Sequence, residues 1–518
     1  MLLFLLALAP SGWLAWKWRA MPHLGLHQDD ALYLVGAKSL AEGLGYRIES
    51  LPGSPFQTKY PPMVSALMTP VWKFGPDFPD NLKLAMLLAW LSLPVCLLTM
   101  RAVFRQFGFG ARDGWLLTIA AAWHPMVGVL STSILSDLPF LTLFLGCLLL
   151  AEKAMEREAG VWLMLTAGLL GGAAYLTRSA ALPIVITVPV CCAWRGQIGR
   201  GLWFLAGVLP AVAGWQLWAF THMLDSRDPA FLYYTNYFAM QQATVRLDNL
   251  GQVLWYNADA LLRGFGKLLL FDVATVQNIH LERILGVGAI AGAVRLVWRT
   301  GRVQYPAAAL GMALLLLVYF FTADERLCLP LYPLVLMGFW TEVKNFGAAV
   351  RRTWERGRMA DRAIAMGAGA ALSGAAALIA TSYAAGYSVF LPAVYETCRR
   401  DLEAHRPTYE WIKTQTPPEA TVNAYDDPVA YLYTGRRALG MPMPSSRVYS
   451  GDAEREADQF ILAVPQTARE HALDYLLVTD SDFYRERRAG LLWRAAERDP
   501  LLRREYGDAH ATVYRAMR

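Results

Sequence analysis

The chain has 518 residues, of which 55% are hydrophobic and only 17% charged, and its formal net charge is +6. A soluble domain usually carries about 25% charged residues, and the shortage here is concentrated in long apolar blocks. This composition predicts an integral membrane protein. Lys and Arg form short clusters between apolar runs, without an aromatic and basic stripe, which argues against nucleic-acid binding.

Apolar segments recur along most of the chain. The first, "MLLFLLALAPSGWLAW", lacks the basic start of a signal peptide, and we interpret it as a transmembrane helix. A span needs about 20 apolar residues, fewer where flanking side chains reach the interface. We predict eleven spans, at 1–18, 84–100, 115–131, 138–151, 161–176, 179–194, 202–220, 279–296, 305–321, 327–341 and 363–383.

The basic residues predict the orientation, because cytoplasmic connections are enriched in Lys and Arg. Alternate connections carry 16 of them, and the short connections on the other side hold only Arg178 and Arg326; Lys17 and Arg19, after the first span, are the exception. The N-terminus is therefore expected in the cytoplasm. The 16 residues are Arg101, Arg105, Arg112, Lys153, Arg157, Arg195, Arg200, Arg295, Arg299, Arg302, Lys344, Arg351, Arg352, Arg356, Arg358 and Arg362.

Three long segments then share the outer face: loop 20–83, loop 221–275 and the C-terminal part. We divide the chain into a transmembrane domain, 1–383, and an extracytoplasmic domain, 384–518. In the latter, strand-like runs (Thr421–Tyr425, Tyr475–Thr479, Thr512–Arg515) alternate with helical ones (395–414, 465–473, 484–498), which is typical of a small α/β domain.

The first outer loop begins with "HQDDALYLVGAKSL". Asp29 suits the N-cap of a surface helix that ends at Gly43 and Gly45. A second helix is predicted to start at Pro62 in "TKYPPM", because proline suits the first helical position. Lys59 and Tyr60 therefore form a basic and aromatic tip in front of this helix.

Five motifs resemble, in order and on one predicted face, those of the GT-C superfamily: "DDALYLVGAKSL", "KYPPM", "SDLPF", "LTRSAALP" and "RLCLPLYPLVL". These integral-membrane glycosyltransferases take a sugar from a polyprenyl-phosphate carrier. The resemblance is greatest to the bacterial branch that includes the aminoarabinose transferase of lipid A and relatives of the protein O-mannosyltransferases. It implies an all-α polytopic, GT-C-like fold in a bacterial inner membrane.

The resemblance also implies a role for the acidic pair. In that family an Asp-Glu pair opens the first outer loop, and its Asp is the catalytic base. Asp29 takes the Asp position, and Asp30 replaces the usual Glu. Two neighbouring carboxyls are expected to raise one another's pKa, so that Asp30 would tune or position Asp29.

Transfer from a lipid phosphate also needs cations, because negative charge grows on the leaving group. Lys59, Arg178 and Arg326 share the predicted outer face with the acidic pair, and with Tyr60 they are candidates for the donor phosphate site. The alternatives are a lipid anchor for Lys59 and helix caps for the two arginines. Asp137, which opens the fourth span, and Tyr332 are candidates for the substrate pocket. His124 is interpreted as a core residue.

The predicted function is an inverting glycosyltransferase, hexosyl or pentosyl, that moves a sugar from a polyprenyl-phosphate donor to a lipid, glycan or protein acceptor on the outer face. A monophosphate leaving group can be held by side-chain cations, so no cofactor is required, and a divalent cation stays open. The alternatives are a lipid or glycan transporter or flippase, and a non-catalytic glycan-binding protein of the same fold. Duplicated halves, typical of many transporters, are not evident in the sequence.

Overall fold

The structure is a computed structural model, and it describes residues 1–156, 160–271, 278–443, 449, 452–484 and 486–517. Arg157 and the end of the predicted loop 221–275 lie outside these ranges. Most of the described chain is helical, and a small sheet is present near the C-terminus. This confirms the predicted fold class in its general form.

In the described chain up to Gln415, the regular secondary-structure elements are helices. The first ten are α1 (Leu2–Lys17), α2 (Asp29–Ala41), α3 (Met63–Phe74), α4 (Leu82–Gln106), α5 (Ala111–Trp123), α6 (Pro125–Ser131), α7 (Asp137–Ala154), α8 (Val161–Thr177), α9 (Leu182–Trp194) and α10 (Ile198–His222). They are followed by α11 (Pro229–Thr235), α12 (Tyr237–Thr244), α13 (Leu250–Lys267), α14 (Ile279–Thr300), α15 (Gln304–Leu317), α16 (Tyr332–Glu355), α17 (Met359–Ala385) and α18 (Leu391–Gln415).

Each of the eleven predicted spans overlaps one of these helices, but the number of crossings stays a prediction. Among the described residues, three helices are long and apolar enough to cross a bilayer: Leu82–Gln106, Ile198–His222 and Met359–Gln415. The bent pair α5 and α6 would make a fourth. The apolar helices α1, α8 and α15 have 17 residues or fewer, shorter than a straight span.

Small residues let the helices of the bundle approach closely, as is common in membrane proteins. Gly292 of α14 lies against Gly338 of α16, and a Cβ at position 292 would come within 2.0 Å of the Gly338 carbonyl oxygen. Gly168 of α8 and Gly207 of α10 meet in the same way. Any larger side chain at these four positions would push the helix axes apart.

The C-terminal region forms the predicted α/β unit. Its strands are β1 (Thr421–Asn423), β2 (Arg437–Leu439), β3 (Tyr475–Thr479), β4 (Leu502–Gly507) and β5 (Ala511–Ala516), and its helices are α19 (Asp427–Thr434), α20 (Ala453–Glu470) and α21 (Glu486–Arg498). The sheet order is β2-β1-β3-β5-β4, with β1 parallel to β2 and β3, and β5 antiparallel to its neighbours. Three of these elements, α19, β2 and β4, were not predicted from sequence, and the helix predicted at 465–473 begins earlier and ends at Glu470.

A shared core joins this unit to the first outer loop. Val429 of α19 and Leu476 of β3 belong to the same buried cluster as Leu32 and Leu34 of α2. Helix α2 therefore lies between the helical bundle and the C-terminal unit. The division of the chain at residue 383 stays a prediction, since α17 continues into α18 through the π-helical segment Gly386–Phe390.

Candidate active site

Five side chains form a continuous line of hydrogen bonds and ion pairs. They come from different connections between helices or from the first residue after such a connection. The Tyr60 hydroxyl donates to Oδ1 of Asp29 over 2.7 Å, and Nη2 of Arg326 lies 3.0 Å from Oδ2 of Asp29. Nε of Arg326 donates to Oδ2 of Asp137 over 3.2 Å, and Nη1 of Arg178 donates to Oδ1 of Asp137 over 2.6 Å. Acidic and basic groups thus alternate along the line.

The ends of helices present these groups. Asp29 and Asp137 are the first residues of α2 and α7. Arg178 follows the last residue of α8 in an extended conformation, and Arg326 lies in the connection between α15 and α16. Backbone that departs from helix at these points lets side chains far apart in sequence meet in one place.

The line borders a cavity of about 490 Å³. Asp29, Asp137, Arg178 and Arg326 are its charged wall, and Tyr33, Tyr60, Tyr175, Tyr237 and Gln216 add aromatic and polar groups. Apolar side chains also line the cavity, among them Leu182 of α9 and Met312, Leu315 and Leu316 of α15. A cavity lined by both charged and apolar side chains suits an amphiphilic ligand.

Asp29 is not the helix cap that the sequence predicts. Helix α2 begins at Asp29 itself, after Gln28, and both carboxylate oxygens of Asp29 bind side chains instead of backbone amides. Burial alone would raise the pKa of Asp29. The charge of Arg326, the hydrogen bond from Tyr60 and the charges of Lys59 and Arg178 outweigh it, so that this pKa lies below its ordinary value.

Asp30 points away from the cavity. Its Oδ1 accepts hydrogen bonds from the backbone amides of Gly25, at 3.1 Å, and Ala31, at 2.8 Å, and the residue is fully buried. Burial raises the pKa of Asp30 to about 7. The expectation that the two carboxyls raise one another's pKa is therefore correct only for Asp30, because Asp29 has cationic partners that its neighbour lacks.

Lys59 contacts the ring of Tyr60 and does not line the cavity. Its ammonium lies 4.0 Å from the ring centre of Tyr233, 4.8 Å from that of Tyr237 and 4.9 Å from that of Tyr60. Burial lowers the pKa of Lys59 to about 8. This placement favours an indirect effect of Lys59 on Asp29 over the predicted contact with a phosphate.

Tyr332 is also absent from the cavity wall. It is fully buried in the helical core, where its ring centre lies 5.7 Å from that of His124. Nε2 of His124 is 2.9 Å from the carbonyl oxygen of Lys267, which confirms a core position for that histidine. Tyr332 thus lies apart from the other candidate residues, and its pocket role stays a prediction. Among the described residues, no group of three His, Cys, Asp or Glu side chains is arranged to hold a metal ion.

Two features of the site were missed from sequence. One is the bridging position of Asp137, which binds both arginines and is 3% exposed. The other is Gln28, whose side chain contacts Tyr233, Tyr234 and Asp427. Its position next to the acidic pair was the one available signal, and neither set of partners can be inferred from sequence spacing.

Two solved structures of known proteins superpose on most of this chain. ArnT from Cupriavidus metallidurans superposes with a TM-score of 0.52 and 13% identity, over 94% of this chain and 92% of ArnT. The Archaeoglobus fulgidus oligosaccharyltransferase superposes with a TM-score of 0.54 and 11% identity, over 95% of this chain and 71% of the other. The chain therefore shares the overall fold of these two proteins.

A second ArnT structure, bound to undecaprenyl phosphate, superposes with a TM-score of 0.50 at 13% identity, over 94% of this chain and 93% of ArnT. Neither a scan against protein-family models nor a search of curated proteins finds a match to this sequence. The apolar composition and the three long apolar helices among the described residues indicate a membrane protein.

Proposed function

We propose that this protein is an inverting glycosyltransferase that moves one sugar from a polyprenyl-phosphate carrier to an acceptor hydroxyl. One observation carries the proposal: a single cavity joins two guanidinium groups and an ionised carboxylate to apolar side chains. The structural neighbours include ArnT bound to undecaprenyl phosphate and the Archaeoglobus fulgidus oligosaccharyltransferase AglB in complex with a dolichol-phosphate, which supports a lipid-linked donor.

The arginines can receive the carrier phosphate. In the part of the chain that the structure describes, Nη1 of Arg326 and Nη2 of Arg178 make no hydrogen bond, so each guanidinium keeps a donor for a phosphate oxygen. The apolar chain of the carrier would leave over the outward faces of α9 and α15, which pack against each other at Pro183 and Gly311. The outward faces of these helices expose Leu182, Ile186, Leu310 and Leu314, which suits contact with lipid.

Asp29 would act as the general base. The acceptor oxygen attacks the anomeric carbon, the bond from that carbon to the phosphate oxygen breaks, and its electron pair leaves with the phosphate. The proton of the acceptor hydroxyl goes to a carboxylate oxygen of Asp29. Both arginines meet the charge that grows on the leaving phosphate, where fixed cations lower the barrier most.

Donor binding would also make Asp29 a stronger base. In the free protein, Arg326 lowers the pKa of Asp29 through their ion pair. The phosphodiester monoanion of the donor at Arg326 competes for this guanidinium and adds negative charge nearby, and both effects raise the proton affinity of Asp29. Deprotonation of the acceptor would therefore be favoured once the donor is in place.

The finer assignments belong to the same proposal. The cavity volume, about 490 Å³, suits one hexosyl or pentosyl ring with its phosphate. The acceptor would be a lipid, glycan or protein on the outer face of a bacterial inner membrane, with the N-terminus in the cytoplasm and the C-terminal unit outside. Cysteines introduced at Gly53 and Gln459 should be labelled from outside, and one at Gly347 should not; labelling at Gly347 alone would reverse the orientation.

The direct test is a transfer assay with purified protein in vesicles, using a panel of radiolabelled polyprenyl-phosphate sugars. We expect cleavage of at least one donor, with label recovered in the acceptor fraction, and cleavage slower by about two to four orders of magnitude in the matched Asp29→Asn variant. Movement of intact donor between leaflets without cleavage would support the transporter alternative and contradict the proposal.

A further inference from the structure

Gln28, the residue before Asp29, has a strained backbone. Its φ is +54° and its ψ is −46°, and the amide of Asp29 donates to the carbonyl of His27 over 2.5 Å. This is a γ-turn with a positive φ at its central residue, a rare conformation that glycine tolerates better than glutamine. Such strain persists only where surrounding contacts hold it.

The Gln28 side chain supplies those contacts. Its Oε1 accepts a hydrogen bond from the Tyr233 hydroxyl over 2.9 Å, and its Nε2 lies 3.3 Å from Oδ1 of Asp427 and 3.2 Å from the Tyr234 hydroxyl. The Tyr234 hydroxyl itself donates to Oδ1 of Asp427 over 2.6 Å. One carboxyl oxygen of the C-terminal unit therefore gathers donors from both outer loops.

The same residues connect Asp29 with the tyrosines that surround Lys59. Gln28 fixes the backbone from which Asp29 projects. Tyr233, bound to Gln28, also lies over the ammonium of Lys59 at 4.0 Å. A displacement of Gln28 would thus move the base and the tyrosines around Lys59 together.

Docking of α19 on α2 supports this connection. Gly25 has a φ of +95°, and a Cβ there would come within 2.5 Å of Cγ2 of Val429. Its amide donates to Oδ1 of Asp30, so the buried carboxyl of Asp30 holds the turn against which α19 packs. Asp427 is the first residue of α19 and is fully buried.

We infer that the C-terminal unit completes the candidate active site, with Asp427 acting through Gln28 as a positioning residue for Asp29. This inference rests on the proposed function, since it concerns the placement of the proposed base. Asp427 touches no part of the cavity, and its contribution is to hold the strained turn that aims Asp29 toward Tyr60 and Arg326.

The test compares three variants. Asp427→Leu removes the acceptor at similar size, whereas Asp427→Asn keeps an oxygen acceptor for Tyr234 and Gln28. Tyr431→Phe is the matched control, because it removes a different hydrogen bond between α19 and α2, the one from Nζ of Lys38 to the Tyr431 hydroxyl at 3.1 Å. All three should retain membrane expression and a cooperative thermal transition.

We expect Asp427→Leu to lower kcat by about 10-fold to 100-fold with an almost unchanged donor KM, because a misplaced base affects the chemical step. Asp427→Asn and Tyr431→Phe should stay near wild type. Gln28→Met reports on the same link from its other end if Asp427→Leu does not fold. The double variant with Gln28→Met and Asp427→Leu should have a kcat little lower than that of either single variant.

Amide hydrogen exchange over residues 24–34 gives a second readout that needs no substrate. Exchange should accelerate in Asp427→Leu and Gln28→Met and stay unchanged in Tyr431→Phe. A wild-type protein without transfer activity would remove the proposed function, while exchange would still report on the turn. Equal kcat in Asp427→Leu and Tyr431→Phe, equal losses in Asp427→Leu and Asp427→Asn, or unaltered exchange would overturn the inference.

Discussion

The first turn of α2 separates two groups of carboxyls that differ in their partners. On the cavity side, Asp29 and Asp137 are ion-paired with Arg326, and Asp137 is also paired with Arg178. On the side of the C-terminal unit, Asp30 and Asp427 are fully buried, and among the described residues no basic side chain forms an ion pair with either.

The consequence is a large difference in proton affinity between adjacent residues. Burial raises the pKa of Asp30 and of Asp427 to about 7 each, whereas Arg326, Tyr60, Lys59 and Arg178 overcome the same effect at Asp29. Burial favours the neutral acid, and a nearby guanidinium reverses that preference. A carboxyl that must accept a proton needs the cationic partner, while a carboxyl that holds a turn does not.

Replacing the two adjacent carboxyls tests this difference most strongly. Asp29→Asn cannot accept the acceptor's proton, and transfer should fall by about two to four orders of magnitude. Asp30→Asn, the matched control, keeps the hydrogen bonds from Gly25 and Ala31 and should cost far less. Initial rates at equal expression, with donor binding measured in parallel, give the comparison. Full activity in Asp29→Asn would remove it from the chemistry.

Removing Arg326, which is ion-paired with both Asp29 and Asp137, should have the next largest effect. Arg326→Ala should lower kcat/KM by about 100-fold to 1,000-fold, with a higher donor KM, because the leaving phosphate loses a charged donor. Arg263→Ala is the control, since it breaks an ion pair with the buried Glu282, at 2.7 Å, outside the cavity wall. Equal activities of the two variants would contradict a phosphate role for Arg326.

Lys59 should influence the base without binding the donor. Lys59→Met should lower kcat by only about 3-fold to 10-fold and leave the donor KM unchanged. Because the charge of Lys59 lowers the pKa of Asp29, its removal should raise that pKa and move the acidic limb of the kcat/KM profile to higher pH. A large rise in donor KM would instead support the direct phosphate contact predicted from sequence.

Asp30 and Asp427, the buried carboxyls between the first outer loop and the C-terminal unit, should produce a small dependence of stability on pH. Asp30 and Asp427 bind protons more tightly in the folded protein, with pKa values of about 7 against an ordinary 3.8. Their contribution is fully present below the ordinary value and is lost as the pH rises through about 7. Tm should thus decrease by a few degrees from about pH 5 to about pH 8, and less in Asp427→Asn. An equal decrease in both proteins would contradict this role for Asp427.

Sequence periodicity was sufficient for the helices and for part of the C-terminal sheet. Each of the eleven apolar segments overlaps a helix, and strand β3 has the predicted bounds. The first outer loop also contains its two predicted helices, because the Pro62 start and the Gly43 end are local signals.

The contacts of the site could not be predicted in the same way, because they join distant segments. Arg326 binds Asp137 across 189 residues, and Gln28 binds Asp427 across 399. Asp29 and Asp30 look equivalent in sequence, yet successive residues of a helix point in different directions, and only the structure shows which one faces the cavity. The same reason explains the inward position of Tyr332.

We propose that the cavity is the donor site, and that Asp29 becomes a stronger base once the donor phosphate is bound at Arg326. The most direct measurement is a structure of the protein with a bound polyprenyl phosphate. We predict a phosphate within hydrogen-bonding distance of Arg178 and Arg326, the lipid chain along the outward faces of α9 and α15, and a weakened pair between Arg326 and Asp29. A phosphate bound elsewhere, with the ion pairs of the cavity unchanged, would contradict the account.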